Sequence, residues 1–121
     1  MTEFVEVKTS ELTGAALDWA VAKAEAVELT LVGAHPHAVV GGRLVGNYRP
    51  SSNWSQGGPL IEKYKLDIDA SMENQNGPWN AATEWAHPLG YKGETPLIAA
   101  CRAIVASVLG ETVSVPKELL S

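Results

Sequence analysis

Between Pro96 and Leu109 the stretch PLIAACRAIVASVL carries one charge, Arg102. At helical spacing, Leu97, Ile98, Cys101, Ile104, Val105, Val108 and Leu109 cover one broad face, and Ala99, Ala103 and Ala106 the other. Thr95 stands where an N-cap is needed, Pro96 takes the first helical position and Gly110 stops the helix. A helix apolar almost all round has to be covered on both sides. With 121 residues to build from, one side is expected on a sheet and the smooth alanine side on a second copy of the chain. A homo-oligomer follows as the expectation, with two-fold symmetry as the default.

The other elements are arranged around that helix. FVEVK (4–8) reads as a short strand. A helix is expected from the Thr9, Ser10 and Thr13 hydroxyls, each a credible N-cap, to about Ala26. Leu17, Ala20, Val21 and Ala24 form its core stripe, and Trp19 points away from it among Ala15, Ala22 and Ala26. LTLVG (29–33) and AVVGGRLVG (38–46) read as strands, interrupted by His-Pro-His and Gly-Gly. Residues 47–58 read as a loop, followed by a short helical turn, PLIEKYK, that starts at Pro59. LDIDASM (66–72) alternates like a half-buried strand, ENQNGP (73–78) is a turn cluster and WNAATEW (79–85) a returning strand. The predicted fold is α+β: a small, mostly antiparallel sheet with two principal helices, in a single domain over residues 1–121.

Charge and composition exclude several classes of function. The net charge is −5, and the nine Lys and Arg residues are scattered. Duplex nucleic acid binding rests on a clustered basic face, so no duplex partner is expected. No apolar run approaches the roughly 20 residues of a membrane span. The opening MTEFVEVK lacks the basic and apolar regions of a signal peptide. The single Cys101 permits no internal disulfide, which suits a reducing, cytoplasmic setting.

Catalytic and metal chemistry find little support in the residue pattern. His35 and His37, with His87, give the only metal-like spacing, but a site needs three or four converging ligands. No metal and no cofactor is expected. Cys101 lies on the most apolar face of its helix, away from any base that would activate it. Asp67 and Asp69 share one strand face and read as a solvated surface, and Glu62 has no visible partner. The Gly-Gly pairs at 41–42 and 57–58 lack the spacing of a phosphate loop. No catalytic residue is assigned.

What remains is binding chemistry. Residues 48–62, YRPSSNWSQGGPLIE, crowd aromatic, basic and amide groups around a Gly-Gly-Pro corner. The chain also carries Trp79 and Trp85, and amides at Asn47, Asn53, Asn74, Asn76 and Asn80. Aromatic planes stack on bases, arginine forks match phosphates, amides read base and ribose edges, and glycine backbone approaches anions closely. This set suits a small nucleotide-like ligand, although tryptophans also fill cores and protein interfaces. The expected ligand contacts are Trp19, Tyr48 and Trp54 for stacking, Arg49 and Arg102 for phosphate, and Ser52, Gln56 and Gly58 for loop hydrogen bonds.

The segments VKTSELTGAALDWAVAKAE, YRPSSNWSQGGPLIE and ETPLIAACRAIVASVLGETVSVPKELL occur in that order along nearly the whole chain. In this the sequence resembles the NinX family of small bacteriophage and prophage proteins. The resemblance implies a phage or prophage origin and expression inside a bacterium, and it assigns no reaction. In that setting the expected function is non-catalytic sequestration of a nucleotide immune signal, such as a cyclic ADP-ribose isomer or a cyclic oligonucleotide. The alternative is an accessory protein that grips a host or phage protein in DNA metabolism, with the tryptophans as anchors. A nucleotide hydrolase using Glu62 or Asp67 and Asp69 ranks below both.

Overall fold

The computed structural model of the chain describes residues 3–70, 79–83 and 90–120. In chain order the elements are β1 (Phe4–Lys8), a 3-10 turn (Thr9–Glu11), α1 (Gly14–Glu25), β2 (Leu29–Val32), β3 (His35–Val40) and β4 (Arg43–Asn47). They continue with α2 (Trp54–Tyr64), β5 (Asp67–Ala70), β6 (Trp79–Ala82), β7 (Tyr91–Gly93), α3 (Pro96–Leu109), β8 (Thr112–Pro116) and a second 3-10 turn (Lys117–Leu119). The fold is α+β, and among the described residues all strand pairing is antiparallel. β1 pairs with β8, and β2-β3-β4 and β5-β6-β7 form two three-stranded meanders.

The last helix organises this arrangement. Thr95 accepts the Ile98 amide at 3.1 Å, Pro96 opens the helix and Gly110 closes it. One face puts Cys101, Ile104 and Val105 into the main core with Leu12, Leu17 and Val21 from the α1 side and Val113 and Val115 from β8. In β1 and β8 the valines pair Val5 with Val115 and Val7 with Val113. Each fully buried aliphatic side chain is worth about 1.5–3 kcal/mol, so this cluster is the main store of stability.

Most of the alanine face of α3 is covered within the chain. Ala99, Ala100 and Ala103 form a second buried cluster with Ala81 of β6, flanked by Trp79 and Tyr91. A Cβ on Gly93 of β7 would stand 2.5 Å from the Ala99 nitrogen. The small side chains let helix and sheet backbones approach closely. Ala99 and Ala103, two of the three alanines expected to meet a second copy, therefore meet the chain's own β5-β6-β7 sheet, and Ala106 is half-buried outside that cluster.

Two further expectations change. His-Pro-His belongs to β3, where Leu31 stands opposite Pro36, and does not interrupt the strands. The Pro36 carbonyl accepts the Tyr48 amide at 2.9 Å. Proline has no N–H to return that bond, so the ladder ends there and the chain turns away from the sheet at Tyr48. The second change is a third helix. α2 begins at Trp54, five residues before Pro59, because Asn53 caps it by accepting the Ser55 amide at 2.9 Å. Pro59 then lies inside the helix and leaves the Ser55 carbonyl without its i+4 donor, at an exposed position where solvent can serve it. The predicted turn at 73–78 lies outside the described residues, as do Trp85 and His87.

Ala103→Leu is expected to lower stability by about 1–3 kcal/mol, the usual cost of overpacking. Urea unfolding checks this, and the loss should not depend on protein concentration, because the covering sheet belongs to the same chain.

Candidate functional site

The segment from Asn47 to Trp54 is pinned on both sides. From α2, the Gln56 side chain accepts the Arg49 amide at 2.7 Å and donates to the Asn47 carbonyl at 2.8 Å. Within the loop, the Ser52 and Asn53 amides both bond the Arg49 carbonyl, at 3.1 and 2.9 Å. From α1, Asp18 accepts the Ser51 amide at 2.9 Å. Pro50 is fully buried, and its carbonyl lies so close to α2 that a Cβ on Gly57 would stand 2.4 Å from it. Gly57 is therefore required by the approach of the loop to the helix.

This scaffold presents an exposed surface. Trp54, in the first turn of α2, is 57% exposed. Its ring lies over Gly58, whose missing side chain leaves the neighbouring surface flat, at 3.9 Å from where a Cβ would be. Arg49 and Ser52 are exposed beside it in sequence. Tyr48 is half-buried against the main core. Burial, then the charges of Glu25, Cys101 and Asp18, push its phenol up to about 12, so it is a neutral donor at neutral pH.

Of the eight sequence-expected ligand residues, Tyr48, Arg49, Ser52, Trp54, Gln56 and Gly58 fall together on this loop and the start of α2. Gln56 is occupied as the loop's internal brace. Trp19 and Arg102 have other contacts. The Trp19 ring stands 6.0 Å from Phe4 of β1, tilted by 53°, with the Lys23 ammonium 5.2 Å from its centroid. Arg102 donates from Nε to the Leu12 carbonyl at 3.0 Å and from Nη1 to the Lys92 carbonyl at 2.7 Å. It ties α3 to the start of α1 and to β7.

Sequence reasoning missed Asp18, which is 5% exposed. Its signal is a lone acid inside the otherwise apolar run Ala16 to Ala22. Desolvation raises its pKa above the ordinary 3.8, against the lowering effects of the Ser51 hydrogen bonds and the Arg49 charge. A second acid, Glu25, links α1 to the far end of α2: it accepts from the Tyr64 hydroxyl and pairs with Lys63 at 2.8 Å. This contact ties the last turn of α2 to the last turn of α1.

Other candidate chemistry is dispersed. Among the described residues no group of three or more His, Cys, Asp or Glu is placed to hold a metal ion. Cys101 is buried, and burial followed by the Asp18 charge pushes its thiol up, away from a reactive thiolate. Asp67, Asp69 and Glu62 are exposed. Trp79 is half-buried against the second core cluster. Among the described residues no helix is long and apolar enough to cross a membrane.

A family model described as Bacteriophage P22, NinX matches residues 8–108. The chain belongs to this NinX family. The match spans α1, the pinned loop, α2 and nearly all of α3, so the loop and the elements that brace it lie within the family region. No curated protein matches the chain.

The raised Asp18 pKa fixes the sign of a pH effect. Between 3.8 and the folded value the native state holds more protons than the unfolded state. Asp18's contribution is then fully present below 3.8 and is lost as pH rises through the folded value. Melting curves of the wild type and Asp18→Asn, compared pH by pH, should show the wild type gaining on the variant as pH falls from neutral toward 4.

Proposed function

We propose that this NinX-family protein is a non-catalytic binder of a small nucleotide-like ligand and acts in the cytoplasm of the phage-infected cell. In its most concrete form it is a sponge for a nucleotide immune signal, a cyclic ADP-ribose isomer or a cyclic oligonucleotide. The observation that carries this reading is an exposed Trp54 in the first turn of α2, beside a loop whose Arg49 and Ser51 amides are held by Gln56 and Asp18, with Arg49 exposed on that loop. An exposed indole normally costs solubility without return, whereas a base stacked on it gains about 1–3 kcal/mol. A rigid loop loses little entropy when it binds, so that gain is kept as affinity. Arg49 supplies the planar fork that matches a phosphate. Tyr48 and Ser52 add hydroxyl donors for ribose or phosphate oxygens. Sequestration needs no turnover, and the reading asks for no general base or nucleophile.

The second reading is an accessory protein in which Trp54 anchors a host or phage protein involved in DNA metabolism. Its support is apolar surface elsewhere: Val40, Leu44 and Val45 on the β3–β4 hairpin are 67%, 57% and 65% exposed. The two readings part on mass action, because a ligand that binds only the folded state raises the melting temperature.

Purified protein is to be melted against a panel of nucleotides and cyclic nucleotide signals, with mass spectrometry of ligand released on denaturation. The expected result is a rise in melting temperature with one class and recovery of that ligand intact. Trp54→Ala should weaken binding by about 1–3 kcal/mol, the stacking contribution, without lowering the melting temperature of the free protein. No shift across the panel contradicts the nucleotide reading, and recovery of altered ligand contradicts the non-catalytic one.

A further inference from the structure

We propose that Asp18 is the positioning residue of the ligand loop: reaching from α1, its carboxylate holds the Ser51 amide and so keeps Tyr48, Arg49 and Trp54 in their binding arrangement. The inference rests on the proposed function for its ligand, but the dependence of the loop on Asp18 can be tested without one.

The geometry sets Asp18 apart from an ordinary core residue. It spans 33 residues of sequence to reach Ser51, and both side chains are buried, at 5% and 6% exposure. The Arg49, Ser52 and Asn53 amides have partners close in sequence. Arg49 is served by Gln56, and Ser52 and Asn53 by the Arg49 carbonyl. The Tyr48 amide is held by the Pro36 carbonyl of β3 at the loop's entry, and within the loop the Ser51 amide is held from α1, so Asp18 joins the middle of the loop to the main core. Ser51 bonds the carboxylate, and the titratable or charged groups that interact with it electrostatically are Arg49 and Tyr48 on the loop side and Cys101 from α3. Arg49 is the one positive charge among them. An apolar residue at position 18 would match its neighbours Ala16, Leu17 and Ala22 and avoid the cost of a buried charge. The carboxylate is accounted for by the bond it makes. Without it, a buried Ser51 N–H would lack an acceptor, and the loop could satisfy that amide only by swinging outward to solvent.

Hydrogen exchange of the full, ligand-free chain at neutral pH tests this with Asp18→Ala and Asp18→Asn. In Asp18→Ala, exchange across residues 48–56 should rise about 10-fold or more, the scale of one lost buried hydrogen bond, while α3 stays protected. Asp18→Asn retains an oxygen that can accept the same N–H and should restore protection close to wild type. An unchanged loop in Asp18→Ala, an equal rise in α3, or failure of the asparagine to restore protection overturns the proposal. In a second arm, cyclic ADP-ribose and a cyclic dinucleotide are titrated into all three proteins. Affinity for whichever stabilises the wild type should fall about 10-fold or more in Asp18→Ala and recover in Asp18→Asn. A loosened loop with unchanged affinity also overturns the positioning role. If neither nucleotide stabilises the wild type, these two immune signals fail as its ligands, while the exchange result still decides the loop's dependence on Asp18.

Discussion

The covering of α3 on two sides is the constraint on which the rest of the molecule depends. One face needs branched side chains, and α1 and β8 supply the partners with Leu17, Val21, Val113 and Val115. The other needs backbone proximity, which Ala99, Ala103 and Gly93 permit. The helix thereby joins two layers that share no strand pairing, the β1–β8 pair and the β5-β6-β7 meander. Leu97, at the start of the same helix, also lies against the α2 side, where a Cβ on Gly57 would stand 2.7 Å from it. The position of the loop therefore follows from the packing of the core helix.

The site is built by this packing together with a few polar bonds of long sequence range. Pro36 ends the β3–β4 ladder at Tyr48, Gln56 braces the turn from one side and Asp18 from the other. The resulting surface has an aromatic ring and a guanidinium on a fixed backbone. Fixation matters more than the number of contacts, because affinity is lost to every degree of freedom that binding has to freeze. The buried acid is the costly part of the design, and buried ionisable groups with perturbed pKa values gather at functional sites.

Legibility in the sequence followed the range of the interaction. α3 was readable to its caps, because Thr95, Pro96 and Gly110 act on adjacent amides and carbonyls. The α+β class and the strand expected over 66–72 were readable from local alternation, and the return strand expected over 79–85 is observed over Trp79–Ala82. The start of α2 was misplaced because Pro59 is a strong local signal for a first helical position, and the Asn53 cap overrode it. The alanine face was assigned to a second copy because nothing local says that β6 and β7 fold back onto it. The loop as a block was visible from its composition. The grouping of Arg102 and Trp19 with it was not supported by their contacts, since Arg102 bonds the Leu12 and Lys92 carbonyls and Trp19 meets Phe4. Asp18 was missed because its partner lies 33 residues away, and no periodicity encodes such a pair.

The central claim is that the Tyr48–Trp54 loop is a preformed surface for a nucleotide-like ligand. The most direct measurement is the set of indole N–H signals in an NMR titration, since the three tryptophans among the described residues, Trp19, Trp54 and Trp79, stand in different settings. Adding a stabilising nucleotide should shift the Trp54 indole first and most, while Trp79, packed against the second core cluster, stays in place. A shift centred on another tryptophan, with Trp54 unmoved at saturation, would contradict the account.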